Sequence, residues 1–150
     1  MSAALLDVNV LIALLDGRHV HHEQAHAWFA ASQDLGWATC PLTQNAVLRI
    51  LGQPRYPNSP GSPAVVARLM QELIRHPRHR FWPDAISLLA APEGEASLVD
   101  ATQLLEAGQL TDTYLLALAV HHGGTLVSFD RRLGCGAVVG GCDALRLIPT

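Results

Sequence analysis

Three aspartates, Asp7, Asp112 and Asp130, are the residues whose placement in this sequence points to chemistry. Asp7 closes the apolar run Ala3–Leu6 and Asp130 closes Thr125–Phe129, and parallel sheets place their ligands outside the carboxyl ends of strands. A helix from Thr111 to His122 is about 18 Å long and the strand after it returns about 16 Å, so a Gly123-Gly124 turn brings Asp112 back beside Asp130. Thr43 and Gln44, just after an expected strand at Trp37–Cys40, arrive at the same rim. Three carboxylates this close repel one another, and without a counter-charge one of them holds a proton. A hard divalent cation, Mg2+ or Mn2+, relieves the repulsion through oxygen ligands. Such an ion activates water and offsets charge growing on a phosphate, so the chemistry indicated is phosphodiester hydrolysis.

Each acid also has a plainer reading. Asp112 near a helix start complements the helix dipole, and Asp130 before Arg131 is an ordinary turn residue. Asp7, between an apolar strand and an apolar helix, has few solvated places to go. Asn9 either caps that helix or orients Asp7. If the substrate is RNA, phosphate contacts fall to Arg49, Arg131 and Arg132, whose alternative is a solvated face. Arg55 and Tyr56 offer one cation and one stacking ring to an unpaired base. His22 and His26, four apart on one helix face, have the spacing of zinc ligands, but no third ligand stands at a suitable spacing.

The elements that must position these residues read as strands alternating with helices. Strands are expected at Ala3–Leu6, Trp37–Cys40, Arg80–Trp82, Thr125–Phe129 and Ala144–Ile148. Helices are expected at Val8–Leu15, His22–Ala31, Thr43–Leu51, Val65–Ile74 and Ser97–Leu105, with Thr111 capping a last one through Val120. Pro92–Gly94 reads as a turn, and a proline-rich loop at about 53–63 reads as mobile. The class is α/β with a mainly parallel central sheet of four to five strands flanked by helices, in a single domain over residues 1–150.

Composition narrows the function. The chain is 49% hydrophobic and 15% charged with a net charge of −3, so it carries no strong field toward nucleic acid, and any phosphate contact is local. Scarce charge leaves apolar surface that a homodimer or a permanent partner would cover. All ten bases are arginine, which removes lysine-dependent phosphate and Schiff-base chemistry. A phospho-aspartate hydrolase ranks low on two counts, the missing lysine and Asn9 where such enzymes carry a second aspartate. Cys40, Cys135 and Cys142 form no C-x-x-C pair, and their odd number reads as reduced thiols. No apolar run reaches the roughly 18 residues of a membrane span and no basic-then-apolar leader is present, so the expected location is cytoplasmic, with no membrane partner.

The segment Leu5-Leu6-Asp7-Val8-Asn9-Val10-Leu11-Ile12 resembles the opening D-x-N motif of PIN-domain nucleases. Thr111-Asp112-Thr113-Tyr114-Leu115-Leu116-Ala117-Leu118-Ala119 resembles their third-acid helix, and Leu126-Val127-Ser128-Phe129-Asp130 their fourth-acid strand. With Trp37-Ala38-Thr39-Cys40-Pro41-Leu42-Thr43, the ordered set is similar to VapC toxins of toxin–antitoxin pairs. The resemblance implies a three-layer α/β/α fold and a homodimeric, Mg2+-dependent endoribonuclease, with Mn2+ able to substitute, silenced by a VapB-type antitoxin. It gives Asp7, Asp112 and Asp130 the metal-binding and catalytic roles, with Asn9, Thr43, Thr111 and Ser128 as supporting residues. One departure stands out: Gln44 occupies the position where such toxins usually carry a glutamate. Gln can ligate through its carbonyl or hold a water but adds no charge, so the alternative is a module that binds RNA or antitoxin without cleaving. Asp16 or Glu23 is left to compensate, though neither sits at a strand end.

Overall fold

The computed structural model describes residues 2–91 and 93–150. Pro92, the first residue of the expected Pro92–Gly94 turn, lies outside the described residues. In chain order the elements are β1 (Ala3–Leu6), α1 (Val8–Leu15), α2 (His22–Ala31), β2 (Gly36–Thr39), α3 (Pro41–Leu51), α4 (Pro63–Ile74), β3 (His79–Phe81), α5 (Leu110–His121), β4 (Thr125–Ser128), α6 (Gly141–Ala144) and β5 (Leu145–Leu147). The five strands form one sheet in the order β3-β2-β1-β4-β5, and every pairing is parallel. The expected α/β class and layering hold.

Alternation along the strands explains the two cores. Leu5 and Leu126 face one side, packed with Leu115, Leu116 and Leu118 of α5. Leu6 and Val127 face the other, packed with Val10 and Leu11 of α1 and Val47 and Leu51 of α3. All four residues of β1 are buried, as expected of a central parallel strand covered by helices on both faces. Each fully buried leucine contributes roughly 2 kcal/mol of transfer free energy, so this double layer fixes where the strand ends stand. A Cβ on Gly124 would lie 2.2 Å from the Ala3 carbonyl oxygen and 2.8 Å from the Trp82 ring, so only glycine lets β4 start this close to β1.

Four expectations change. The Ser97–Leu105 helix is absent, replaced by short 3-10 turns at Ala101–Gln103 and Ala107–Gln109. Val99 bridges Val138 in antiparallel fashion, and the Asp100 carboxylate accepts the backbone N–H and the hydroxyl of Thr102, so tertiary pairing and an Asx turn outcompete helix propensity. Thr111 is not the cap: α5 starts at Leu110 with Gln109 before it. The Gln109 side chain accepts the N–H groups of Leu105 and Glu106, and the turn it closes runs directly into the helix. Gly141–Ala144 is helical, which shortens the last strand to Leu145–Leu147. Cys135 and Cys142 form a disulfide; Cys40 alone is a free, buried thiol.

The proline loop is tied down. Ser59 Oγ donates to the Leu51 and Gly61 carbonyls, and the Asp16 carboxylate accepts the Tyr56 hydroxyl at 2.5 Å and the Asn58 amide at 3.1 Å. Burial alone would raise the Asp16 carboxyl, but these two bonds and the Arg18 N–H outweigh it and hold it below the usual range. Tyr56→Phe is expected to cost about 1–2 kcal/mol, as loss of a hydrogen bond to a charged group does, and urea unfolding checks this. Because Asp16 then loses a donor, its titration, read by NMR, should move upward.

Candidate metal centre

Asp7 stands where β1 runs into α1, and its own N–H continues the ladder by donating to the Val127 carbonyl at 2.9 Å. Its side chain is only 6% exposed. One carboxylate oxygen accepts the Val8 N–H at 2.7 Å and the other accepts the Ser128 hydroxyl at 2.6 Å. Burial pushes the Asp7 carboxyl up, these two bonds pull it back, and the charge of Asp130 pushes it up again, leaving it above the ordinary value.

Ser128, the last residue of β4 and 0% exposed, is the hub of this corner. Its Oγ donates to Asp7 and accepts from the Asn9 amide at 3.1 Å and the Asp130 N–H at 3.0 Å. Asn9 Oδ1 accepts the Phe129 N–H at 3.2 Å, so Asn9 does not cap α1: it locks the end of β4 against the start of that helix. Asp7 and Asp130, far apart in sequence, are thus set by one hydroxyl.

Asp112 lies in the first turn of α5. Partial burial and then the charges of Asp7 and Asp130 raise its carboxyl to about 6. The three aspartates named by the sequence therefore share one electrostatic neighbourhood, as the helix-and-return length argument requires. No cation offsets them: among the described residues the only ion pair is Arg75–Glu72, on an exposed helix face. Equally, no three His, Cys, Asp or Glu side chains among the described residues are already gathered closely enough to hold an ion. The arrangement is a rim of acids in one another's field, short of a finished coordination shell. Partly desolvated, mutually repelling oxygen donors with no counter-charge are the donor chemistry a hard divalent cation fits.

The remaining candidates divide clearly. Gln44 donates its amide to Thr39 Oγ1 at 3.0 Å, and Thr39 in turn meets His79 Nε2 at 2.7 Å. Gln44 is thereby anchored on β2 and β3 and appears in none of the hydrogen bonds of the three aspartates. Thr43 is structural, accepting the Cys40 N–H and donating back to the Cys40 carbonyl at the start of α3. Thr111 is exposed. The Arg131 guanidinium is bonded to Thr150, whereas the Arg132 N–H donates to Asp130 Oδ1 and its side chain is exposed, as is that of Arg49.

Three other features of the sequence are engaged elsewhere. His22 Nδ1 and His26 Nε2 engage the Ala13 and Leu14 carbonyls, so these rings close the end of α1 and are not free for zinc. Tyr56 packs against the core with its hydroxyl on Asp16, which accounts for both the expected stacking ring and the expected spare acid. Sequence reasoning also missed Asp84, which accepts the Tyr114 hydroxyl at 2.8 Å, two residues along α5 from Asp112. The signal was present, since Asp84 follows the end of β3 as Asp7 and Asp130 follow theirs.

The family model described as PIN domain matches residues 4–134. The chain is 46% identical over 140 residues to Ribonuclease VapC44 of Mycobacterium tuberculosis, covering 91% of this chain and 92% of that protein. It is 40% identical over 147 residues to Ribonuclease VapC29 of the same organism, covering 97% and 96%. Ribonuclease VapC39, also of that organism, is 37% identical over 142 residues, covering 95% and 99%.

Proposed function

Because the chain belongs to the PIN-domain family, we propose that it is a metal-dependent endoribonuclease of VapC type, with Asp7, Asp112 and Asp130 as its cation ligands. The observation carrying this reading is the uncompensated field those three carboxylates share at the ends of β1 and β4 and the start of α5. A bound Mg2+ would supply a Lewis acid for the phosphate and an activated water. Asp7 enters that role pre-aimed, since Val8 and Ser128 fix both its oxygens. Asp130 is held by the Arg132 N–H, and the exposed Arg132 and Arg49 guanidinium groups are the grips for the RNA backbone. Arg131, already on Thr150, has less to give. Gln44 keeps its amide on Thr39, so its carbonyl contributes at most a water contact. Nothing observed favours the non-cleaving module.

The partners follow from the same reading: an RNA substrate, a VapB-type antitoxin that covers the acidic rim, and a second copy of the chain, all in the cytoplasm. Among the described residues no helix is long and apolar enough to cross a membrane.

The test is cleavage of structured RNA with Mg2+ and with EDTA, beside a thermal-shift titration with Mg2+ from pH 8 to pH 5. Asp112 must lose its proton to bind, and with its carboxyl raised to about 6 the ion competes with a proton below that pH. Cleavage that requires Mg2+, with apparent affinity falling about tenfold per unit below pH 6, is expected. Cleavage in EDTA, or an affinity flat across that range, overturns the assignment.

A further inference from the structure

The disulfide between Cys135 and Cys142 closes a loop of small sequence separation, seven residues, with Cα atoms 4.9 Å apart. A bridge across so short a loop removes little entropy from the unfolded chain, so its leverage is on local geometry. That geometry adjoins the acids. The loop begins five residues after Asp130, whose carbonyl accepts the Leu133 N–H at 3.2 Å and whose carboxylate accepts the Arg132 N–H at 2.9 Å. Inside the bridge, Val138 N–H reaches the Cys135 carbonyl, and Gly141 N–H reaches the Val138 carbonyl at 2.9 Å. A Cβ on Gly141 would come within 2.8 Å of Val138 and 3.0 Å of the Cys135 carbonyl, so the closed loop has no slack.

Its outer edge is tied to the segment that leads to the other acid. Val139 N–H donates to the Leu98 carbonyl and Asp100 N–H to the Ala137 carbonyl, each at 2.8 Å, around the buried Val99–Val138 pair. The strap so held, residues 98–100, leads through the two 3-10 turns into α5 and Asp112. One small covalent ring therefore braces both the chain leaving Asp130 and the chain approaching Asp112. Cys142 is an exposed residue and Cys135 a half-buried one, so Cys142 is the more open end of the bridge.

We propose that Cys135–Cys142 is a thiol–disulfide switch: oxidised, it holds the acidic rim assembled, and its reduction by a dithiol loosens Asp130 and the approach to Asp112 and weakens the cation site. This rests on the reading of that rim as a cation site. In the exchange a reductant thiolate attacks Cys142 Sγ, forming a mixed disulfide and expelling Cys135 as a thiolate that takes a proton. The reductant's second thiol then closes its own disulfide and releases Cys142, also protonated from solvent. Two electrons and two protons pass to the protein, and the dithiol is oxidised to a disulfide.

The test compares oxidised protein, protein reduced with a phosphine, and the Cys135→Ser/Cys142→Ser double variant. Thiols are counted in denaturant, Mn2+ is titrated by thermal shift, and RNA cleavage is followed with Mn2+. The oxidised form should show one thiol, that of Cys40, and the reduced form three. Reduction should raise the Mn2+ midpoint about tenfold and slow cleavage at limiting Mn2+, while lowering the ion-free Tm by only about 5 °C. Three thiols in the untreated, air-exposed protein, or equal Mn2+ midpoints in oxidised and reduced forms, overturn the switch alone. Failure of every form to respond to Mn2+ overturns the cation reading and the switch with it. Should the double variant not fold, the reduced natural sequence carries the same comparison.

Discussion

Asp112→Asn is expected to cut metal-dependent RNA cleavage by about a thousandfold or more, since a ligand to the ion contributes several kcal/mol to the transition state. The same change should make the ion-free protein more stable at neutral pH. Burial and the charges of Asp7 and Asp130 raise this carboxyl from 3.8 to about 6, so the folded chain binds its proton more tightly than the unfolded chain does. Stability of the ion-free protein therefore rises as the pH falls from about 6 toward 4, and above 6 the ionised carboxylate opposes folding. Asp112 is only partly buried, so solvent screening reduces the effect to about 1 kcal/mol, or about 3 °C in Tm. Asparagine removes the charge and with it that penalty. The gain should be present at pH 7.5 and absent at pH 4, where the aspartate is protonated as well. Calorimetry with EDTA at the two pH values checks this, and a destabilised variant at pH 7.5 would mean that the carboxylate serves the fold and not the ion.

Ser128→Ala, in contrast, is expected to damage both stability and activity. Removing one buried oxygen strips Asp7 of a donor and leaves the Asn9 amide and the Asp130 N–H without their acceptor. Orphaning buried polar groups costs about 1–3 kcal/mol each, with relaxation sharing the loss, so a total of about 3 kcal/mol is expected. For a chain of this size that lowers Tm by roughly 10 °C. Cleavage should fall about tenfold or more even where the variant is fully folded, because Asp7 is then fixed by Val8 alone. Urea unfolding alongside single-turnover cleavage separates the two effects, and unchanged turnover in the folded variant would remove Ser128 from the site.

The parts of this molecule that were legible in the sequence are those governed by local pattern. Apolar runs ending in Asp7 and Asp130 mark the strands and their polar ends, and the matched lengths of α5 and β4 agree with Asp112 standing in their field. What was hidden depends on contacts between distant segments. Residues 97–105 carry a helical pattern, yet Val99 pairs with Val138 and Asp100 turns the chain. The six residues between Cys135 and Cys142 match no familiar metal or redox spacing, and the tight Gly140-Gly141 corner is what turns the chain back. Gln44 was placed at the rim by counting from β2, but Thr39 and His79, a residue on another strand, decide where its amide goes. Asp84 is hard to read from the sequence because it follows a strand of only three residues and its partner, Tyr114, is thirty residues away.

The outermost strands, β3 and β5, are three residues each, and the middle residue of each is an exposed arginine, Arg80 in one and Arg146 in the other. Brief, cationic borders offer few free backbone groups and set like charge against like when two copies approach edge to edge. Fibre-like stacking through strand addition is thereby discouraged despite the apolar composition, and any pairing between copies is left to the helical faces.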